Sequence, residues 1–290
     1  MQKLVVAIII SAILTIAGCV HVMKQNWVVS QRNNKNTINI VGDCGTDSPI
    51  KPIVSMSEHK EALNSNGFCL LSWNMQKGVR KGWAEDFRRL SYNKDLLIIQ
   101  EAYLDDAMKG LLQGNHHFWD LALAFEYKDN KTGVLTASTV EPNFLCTFRN
   151  KEPIIRIPKT IIITRYPLSS GSQALMVANV HLINYTLTLS QFRTQLRQLE
   201  KILSKHKGPI IVSGDFNTWN DERMAVVSDL ATRIDLRSVT FRENYRATVF
   251  GQNVDHIYYR GLEPIKATAI KINTSDHNPL IVKFRHTDYP

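Results

Sequence analysis

Residues 209–220 read PIIVSGDFNTWN. The apolar residues Ile210 to Val212 are followed almost at once by Gly214, Asp215 and Asn217. A run of Ile and Val bounded by turn residues predicts a buried strand, and Gly, Asp and Asn are the residues that commonly end one. A turn is a sufficient explanation of this stretch alone. The arrangement gains meaning because other apolar runs of the chain end in a similar way.

Apolar runs recur along most of the chain. Those rich in Val, Ile, Leu, Tyr and Phe predict strands at residues 68–74, 95–102, 118–125, 132–138, 143–148, 160–168, 174–182, 209–217, 254–261, 265–272 and 277–284. Apolar residues at steps of three and four predict a helix over 188–206. Helices are also predicted at 105–113 and 221–236, each opening with an Asp in the capping position. Together they predict two packed sheets with helices outside, an α/β or α+β fold.

Polar residues that can carry chemistry stand at the ends of these strands. They are Asn74, Glu101, His181, Asp215 with Asn217, Asp255, and the pair Asp276 and His277 before the last strand. Each one alone is explained as a turn residue, a cap or a satisfied histidine. As a set they predict a site at one edge of the sheets, where residues distant in sequence converge.

The segments WNMQ, IIQE, NVHL, SGDFN, VDHIYY and SDHNPL carry a family resemblance. Their order and spacing over about residues 68–284 resemble the endonuclease/exonuclease/phosphatase superfamily of DNase I-like, metal-dependent phosphodiesterases. More narrowly, the IPK, YPL, NVHLIN, GDFNTW, YYRGL and SDHNPL segments are similar to its YafD-like bacterial branch. The resemblance implies a four-layer sandwich, in which two central, mainly antiparallel sheets are flanked by helices on both outer sides.

Hydrolysis of a phosphodiester explains the types of residue present. The reaction requires a divalent cation, an activated water and donors for the charge that develops in the transition state. Mg²⁺ is the expected ion, with Mn²⁺ or Ca²⁺ as alternatives, and it prefers oxygen ligands. Glu101 is the predicted ligand, with the carbonyl oxygen of Asn74 and the carboxylate of Asp276 completing the site.

The remaining residues are predicted to be catalytic. His277 would pair with Asp255, which would fix the tautomer of the ring. Asp215 would orient or deprotonate the attacking water, and Asn217 would donate its amide to a phosphoryl oxygen. His181 would donate to the phosphate or protonate the leaving oxygen.

One departure from the resembled family concerns a cation near the phosphate. Many relatives carry a basic residue where the strand at 132–138 ends, whereas this chain has Ala137, Ser138 and Thr139. Arg165 or Lys77 would then have to supply the phosphate contact.

The charge balance favours a polyanionic partner. The chain has 35 Lys and Arg against 26 Asp and Glu, a net charge of +9, and such an excess attracts nucleic acid, anionic lipid or lipopolysaccharide. Basic residues concentrate mildly at Lys77, Arg80, Lys81, Arg88 and Arg89, and again at Arg149, Lys151, Arg156, Lys159 and Arg165. These are either solvated faces or a binding groove.

Three functions fit these observations. A nuclease acting on DNA or RNA is favoured by the net charge and by Trp219 and Tyr185, on which bases could stack. A phosphodiesterase or phosphatase acting on phospholipid or phosphoinositide headgroups is the alternative. A binding lipoprotein that has lost the reaction is an alternative of another class.

The first residues predict export. Lys3 precedes an apolar run from Leu4 to Ala17, which is typical of a signal peptide and short for a bilayer span. The ending Ile16-Ala17-Gly18-Cys19 resembles a bacterial lipobox, so residues 1–18 are predicted to be a signal peptide and Cys19 a lipidated residue. An uncleaved anchor is the alternative. Val20 after the cysteine favours, by resemblance to Gram-negative lipoproteins, an outer-membrane protein facing the periplasm.

The mature chain is expected to be a monomer with two parts. Residues 19–66 are predicted to be a tether, and residues 67–286 the catalytic domain. Cys44, Cys69 and Cys146 remain in an oxidising compartment, so one disulfide is expected. A pair of Cys44 with Cys69 is preferred because it would staple the N-terminal segment to the first strand of the domain.

Overall fold

The computed structural model describes residues 20–32, 35–41, 44, 61–114, 118–170, 173–186 and 188–287. The strands are β1 (Val20–His21), β2 (Trp27–Arg32), β3 (Lys35–Ile40), β4 (Phe68–Asn74), β5 (Leu96–Leu104), β6 (Phe118–Tyr127), β7 (Asn130–Ser138), β8 (Phe144–Lys151), β9 (Pro158–Pro167), β10 (Ala174–His181), β11 (Ile210–Asp215), β12 (Arg237–Ser238), β13 (Thr248–Val249), β14 (Gln252–Asn253), β15 (Asp255–Arg260), β16 (Leu262–Ala269) and β17 (Leu280–His286). The helices are α1 (Trp83–Ser91), α2 (Asp106–Gln113), α3 (Ser190–Leu203) and α4 (Asp221–Arg233), and a 3-10 turn covers Gln76–Gly78.

The strands form two large sheets and one small hairpin. Sheet one has the order β16-β17-β4-β5-β7-β6-β2-β3, with β1 also paired to β6, and sheet two has the order β12-β15-β11-β10-β9-β8. Most neighbours are antiparallel, but β4 and β5 are parallel in sheet one, as are β10 and β11 in sheet two. Parallel neighbours require a crossover connection, and α1 and α3 provide it.

Three apolar clusters stack the elements into four layers. The first cluster joins α1 and α2 to the outer face of sheet one, through residues such as Phe87 and Met108. The second lies between the two sheets and includes Leu70 and Ile211. The third joins α3 and α4 to the outer face of sheet two. The predicted sandwich of two mainly antiparallel sheets flanked by helices is therefore confirmed.

The helices follow the sequence signals for the most part. The predicted helices at 188–206, 105–113 and 221–236 are present with shorter bounds, and Asp105 caps α2 by accepting a hydrogen bond from the Met108 N–H. The cap of α4 is Asn220 rather than Asp221. The sequence pattern did not predict α1. Its N-cap residue, Gly82, has a left-handed backbone conformation, and no side chain caps the helix.

The segment predicted to be a tether contributes to sheet one. In its described part, β2 pairs with β6 and β3 pairs with β2, so the sheet extends by two strands. Val28 and Val29 of β2 are buried, while β3 forms an exposed, polar edge. The polar composition of β3 is that of a solvated edge strand, which is why no alternating pattern marked it. The predicted signal peptide and Cys19 lie outside the described residues.

The disulfide joins Cys44 to Cys146, so the preferred pairing of Cys44 with Cys69 is wrong. Cys44 lies against β8, where its N–H donates to the Thr147 carbonyl at 3.3 Å. Cys69 lies on β4, in the other sheet, and its sulfur is unpaired. Proximity to β8 decides the pairing, and that proximity depends on how the N-terminal segment crosses the fold.

Loss of this disulfide is expected to lower the free energy of unfolding by about 2–5 kcal/mol, because the bond closes a long loop in the unfolded chain. Cys146→Ser is the variant, and denaturant unfolding with and without reductant is the measurement. Cys69→Ser is the matched control and should have a far smaller effect. An unfolding midpoint of the wild type that does not respond to reductant would contradict the prediction.

Candidate active site

Strand geometry directs the predicted residues into the space between the sheets. Successive strand residues point to opposite faces. In β4, Phe68 and Leu70 belong to the cluster between the sheets, so Asn74, an even number of residues further, faces the same way. By the same count, Ile211 sets the direction of Asp215 on β11, and Val177 that of His181 on β10. Asp255 on β15 faces inward with Ile257.

Three of these residues form a row across sheet two. His181 pairs in register with Asp215, and Asp215 pairs with Asp255. Residues opposite each other on neighbouring strands place their side chains about 5 Å apart on the same face. The row therefore brings one imidazole and two carboxylates together at the end of sheet two.

A β-bulge re-aims Glu101 on sheet one. The register of β5 against β7 shifts between Ile99 and Ala102, and Glu101 has a φ of 49°, which a non-glycine residue rarely adopts. Gln100 points inward instead and donates to the Asn179 side-chain oxygen of sheet two at 2.8 Å. Bulges of this kind are frequent beside active sites because they redirect a side chain.

Gly214 permits the close approach that places Asp215. Its φ is +142°, and a Cβ there would lie 2.0 Å from the Val180 carbonyl oxygen. Asn217 follows with a φ of 51°. The Asn217 N–H donates to Asp215 Oδ1 at 2.9 Å, and its side-chain amide donates to the Leu182 carbonyl at 2.9 Å. The Gly-Asp-Phe-Asn turn is thus locked by its own side chains.

Asp215 is the centre of what we term the polar cluster, formed by Asn74, Glu101, His181, Asp215, Asp255 and His277. Its Oδ2 accepts a hydrogen bond from Asn74 Nδ2 at 3.1 Å, across the two sheets. The same oxygen lies 3.4 Å from His181 Nε2 and 4.0 Å from His277 Nε2. His277 Nδ1 lies 2.8 Å from Asp255 Oδ2, and His181 Nε2 lies 3.9 Å from Glu101 Oε1. Every member is therefore linked to Asp215 directly or through a histidine.

The two histidines are in opposite electrostatic environments. Burial would lower the pKa of His277, but the charge and hydrogen bond of Asp255 outweigh it and raise this pKa to about 10. Burial and the ammonium of Lys159 lower the pKa of His181 to about 3. Near neutral pH the cluster accordingly holds a charged His277 and a neutral His181.

Glu101 is ionised in spite of its burial. Burial raises the pKa of its carboxyl group, but the charges of Lys77 and Lys159 hold this pKa well below its usual range. The Lys77 ammonium pairs directly with Glu101 Oε2. The ionised Glu101 carboxylate thus binds one positive group, the Lys77 ammonium, within the polar cluster.

The donor set fits a divalent cation. Carboxylate oxygens are the ligands that Mg²⁺ prefers, and Glu101 presents one that lies 3.9 Å from His181 Nε2. Asn74 is on the neighbouring strand β4, where its Oδ1 accepts the Gln76 N–H at 3.1 Å. A second possible triad is Asp215, Asp255 and His277, whose ligand atoms all lie within 4.8 Å of one another. His277 Nδ1 takes part in the contact with Asp255, just as Glu101 is paired with Lys77 and Asn74 with the Gln76 N–H. Both donor sets therefore fit a divalent cation.

Residues 71–277 match the Endonuclease/Exonuclease/phosphatase family. The chain is 38% identical over 220 residues to a UPF0294 protein of Vibrio campbellii. The aligned region covers 76% of this chain and 78% of that protein. A UPF0294 protein of Vibrio cholerae is 40% identical over 230 residues, 78% of this chain and 80% of that protein. This chain belongs to the endonuclease/exonuclease/phosphatase family. The resemblance to its YafD-like branch is confirmed by these relatives.

Solved structures of the endonuclease/exonuclease/phosphatase family share the fold. The catalytic domain of human Nocturnin with bound sulfate aligns with a TM-score of 0.59 at 19% identity, over 78% of this chain and 97% of that one. ANGEL2, a 2',3'-cyclic phosphatase, in complex with adenosine-2',3'-vanadate, aligns with a TM-score of 0.56 at 15% identity, over 78% of this chain and 97% of that one. At such identities the likeness concerns the fold alone.

Membership of the endonuclease/exonuclease/phosphatase family makes the chain a phosphoester hydrolase of the phosphodiesterase or phosphatase type. Of the predicted site residues, the six of the polar cluster lie together and Asn217 is bonded to Asp215. Asp276 is exposed at the rim. Its carboxylate accepts hydrogen bonds from Gln76 Nε2 at 3.0 Å and Ser275 Oγ at 3.3 Å, and not from the cluster.

Of the two residues predicted to supply a cation near the phosphate, Lys77 lies at the site and Arg165 does not. Lys77 reaches the polar cluster through Glu101. Arg165 does not fit, because its Nε donates to the Asn143 side-chain oxygen at 2.8 Å and its guanidinium covers the Phe144 ring. Arg165 is six residues along β9 from Lys159, about 20 Å at the usual strand rise.

Two residues beside the site were missed by the sequence reasoning. Lys159 Nζ lies 2.6 Å from His181 Nε2, and in the sequence it was only one of several scattered basic residues. Arg223 of α4 is buried and binds the loops that follow His181 and Asp215. Its position had a signal, because Arg223 stands on the apolar stripe continued by Val227 and Leu230.

Proposed function

We propose that the protein is a divalent-metal-dependent phosphodiester hydrolase that cleaves nucleic acid in the cell envelope. The observation that carries the proposal is the polar cluster, in which Asp215 connects Asn74 of sheet one with two histidines of differing charge. A carboxylate base, a cationic donor and oxygen ligands within one cluster are what phosphodiester hydrolysis requires.

The reaction assigns tasks to Asp215, His277, Asp255 and Asn217. Asp215 accepts the proton of the attacking water, whose oxygen bonds to phosphorus while the bond from phosphorus to the leaving oxygen breaks. The leaving oxygen takes up a proton from solvent, and Asp215 returns its proton to solvent, so the products are a phosphomonoester and an alcohol. His277, held by Asp255, donates to a phosphoryl oxygen together with the amide of Asn217.

Glu101 and Asn74 are the residues that would hold the divalent cation. When bound, the ion would neutralise negative charge on the phosphoryl oxygens and the leaving group. The carboxylate of Asp276 would join this set only by turning away from Gln76, and we retain it as an outer member of the predicted site.

Aromatic side chains around the polar cluster favour nucleic acid as the substrate. Tyr185 follows His181 by four residues, Trp219 follows Asp215 by four, and Phe250 precedes Asp255 by five. Tyr185 is 41% exposed and Phe250 86% exposed. The rings of Trp219 and Phe250 are in edge contact with centroids 6.1 Å apart. Exposed rings beside a phosphodiester site, on a chain of net charge +9, suit stacking of bases.

A phospholipid headgroup is the second candidate substrate. The hairpin of β13 and β14 exposes Val249 and Phe250 at its tip, and an apolar tip of this kind also suits a lipid surface. The aromatic rings of Tyr185 and Trp219 are better explained by bases, so we place nucleic acid first.

A substrate panel tests the proposal. The full chain, purified in mild detergent, is assayed with Mg²⁺, Mn²⁺ or Ca²⁺ against plasmid DNA, RNA and mixed micelles of phospholipids. We expect cleavage of nucleic acid that is abolished by EDTA and weakens steeply with salt. Cleavage of lipids alone would establish the second candidate. Binding without hydrolysis of any member would overturn the enzyme proposal.

We also propose that the protein is a lipid-anchored monomer of the outer membrane that faces the periplasm. The disulfide between Cys44 and Cys146 supports an oxidising compartment. Within the described residues, no helix has both the length and the apolar character needed to cross a bilayer. Cys19→Ser should release the chain from the membrane fraction. Continued membrane association of this variant would favour the uncleaved anchor.

A further inference from the structure

Lys159 brings a positive charge into the polar cluster from sheet two. It is the second residue of β9, which pairs with β10, and its side chain is half-buried. The Nζ atom lies 2.6 Å from His181 Nε2. Since an ammonium group can only donate hydrogen bonds, the ring nitrogen of His181 is the acceptor.

The charge of Lys159 has no paired carboxylate in the part of the chain that the structure describes. Lys77 pairs with Glu101, whereas the hydrogen bond described for Lys159 is the one to His181. An ammonium group has three N–H donors, so two remain after that bond. The charge of Lys159 also acts on Glu101 and Glu152, but without a direct ion pair in the described contacts. The two remaining donors can therefore bind an anionic ligand.

The position of this ammonium suits a phosphate in the site. Its charge acts on Glu101 of sheet one and on Glu152 at the end of β8. It therefore faces the same space as Asp215, with His181 between them. The end of β7 cannot supply this cation, because Ser138 pairs with Leu96 at the start of β5, at the edge of the sheet away from Glu101.

We propose that Lys159 is a substrate-binding catalytic residue whose ammonium group donates to a non-bridging oxygen of the scissile phosphate. It stabilises the negative charge that the phosphoryl oxygens carry as water attacks. The lysine neither loses a proton nor forms a covalent bond in this step. The inference rests on the proposed hydrolase function and adds to it a contact that selects phosphoric esters over uncharged ones.

Hydrolysis by three variants tests the role in turnover. Lys159→Met removes the charge at similar length, Lys159→Arg retains it, and Lys205→Met removes the same charge from an exposed position between α3 and β11, away from Asp215. We expect kcat to fall about 100-fold in Lys159→Met, as for the loss of one transition-state donor. Lys159→Arg should recover at least part of this loss, and Lys205→Met should match the wild type within about threefold.

Binding of inorganic phosphate provides a readout that does not depend on turnover or on metal. Calorimetric titration of the full chain in EDTA should give a dissociation constant about 10- to 100-fold weaker for Lys159→Met, the range expected for a hydrogen bond to a charged group. Circular dichroism checks that the variants fold. If Lys159→Met does not fold, Lys159→Gln replaces it, because its amide can still donate to His181 without a charge.

The outcomes separate this inference from the proposed function. If the wild type binds phosphate more tightly than Lys159→Met but hydrolyses nothing, the phosphate contact stands and the hydrolase proposal fails. If the wild type hydrolyses nucleic acid while Lys159→Met equals Lys205→Met in kcat and in phosphate binding, the hydrolase stands and the role of Lys159 is overturned. Absence of phosphate binding by the wild type also overturns it.

Discussion

Replacing Asp215 with asparagine is expected to lower kcat by about 10²- to 10⁴-fold, the range attributed to a positioned general base. The carboxylate has two acceptor oxygens, and both are in use. Oδ1 receives the Asn217 N–H, and Oδ2 receives the amide of Asn74. An asparagine has the same shape but replaces one of these oxygens with a donor, and it cannot take the proton of the attacking water.

Folding should largely survive this change, so the loss can be assigned to chemistry. Asp106→Asn is the matched control, since Asp106 is fully exposed on α2 and pairs only with Lys109 of the same helix in the described contacts. We expect the thermal midpoint of Asp215→Asn to stay within about 4 °C of the wild type. Asp215→Asn with more than a tenth of wild-type kcat would remove Asp215 from the reaction.

The sequence was able to predict the convergence of the cluster because polar residues follow several apolar strands at their ends. The direction of each side chain could not be read in the same way, since β4 is buried on both faces, with Leu70 toward sheet two and Leu71 toward the helices. In the structure, two parallel pairs, β4 with β5 and β10 with β11, place several strand ends at one edge. Those pairings are tertiary contacts.

The conformation of Glu101 could not be predicted from the sequence pattern of β5. Simple alternation along β5 would place Gln100 and Glu101 on opposite faces, and only the bulge after Ile99 turns Glu101 toward the site. A bulge depends on the pairing of β5 with β7, which is a tertiary property. The residue type could therefore be identified while its geometry could not.

Cross-chain proximity explains the other differences. The pairing of Cys44 with Cys146 depends on where the N-terminal segment meets β8. The role of Lys159 depends on the neighbouring position of His181, which follows from the pairing of β9 with β10. In the sequence alone, Lys159 belongs to a group of basic residues that fits either a solvated face or a binding groove, and nothing selects it from that group.

Replacing Arg223 with methionine is expected to lower the free energy of unfolding by at least about 1–3 kcal/mol, the cost typical of leaving a buried acceptor unsatisfied. The guanidinium is buried and donates to the carbonyls of Ile183, Asn184 and Asn217 at 2.7, 2.8 and 3.1 Å. It also donates to Thr186 Oγ1 at 2.8 Å. Methionine fills much of the volume but leaves these acceptors unsatisfied.

Arg223 is one half of a clamp on the loop that follows His181. Glu152 is the other half, because its two oxygens accept the N–H groups of Asn184 and Tyr185 at 2.6 and 2.9 Å. The arginine thus binds the carbonyls of the loop and the glutamate binds its N–H groups. Asn217, which is bonded to Asp215, also depends on the arginine through its own carbonyl.

This arrangement predicts that Arg223→Met loses activity as well as stability. Assays at a temperature where the variant is fully folded should still show a kcat at least about tenfold lower, because misplacement of catalytic groups is costly for rate. Arg233→Met is the matched control on the same helix, since its exposed pair with Glu200 at 2.7 Å should contribute at most about 1 kcal/mol. Wild-type kcat in folded Arg223→Met would show that the clamp stabilises the fold without positioning the site.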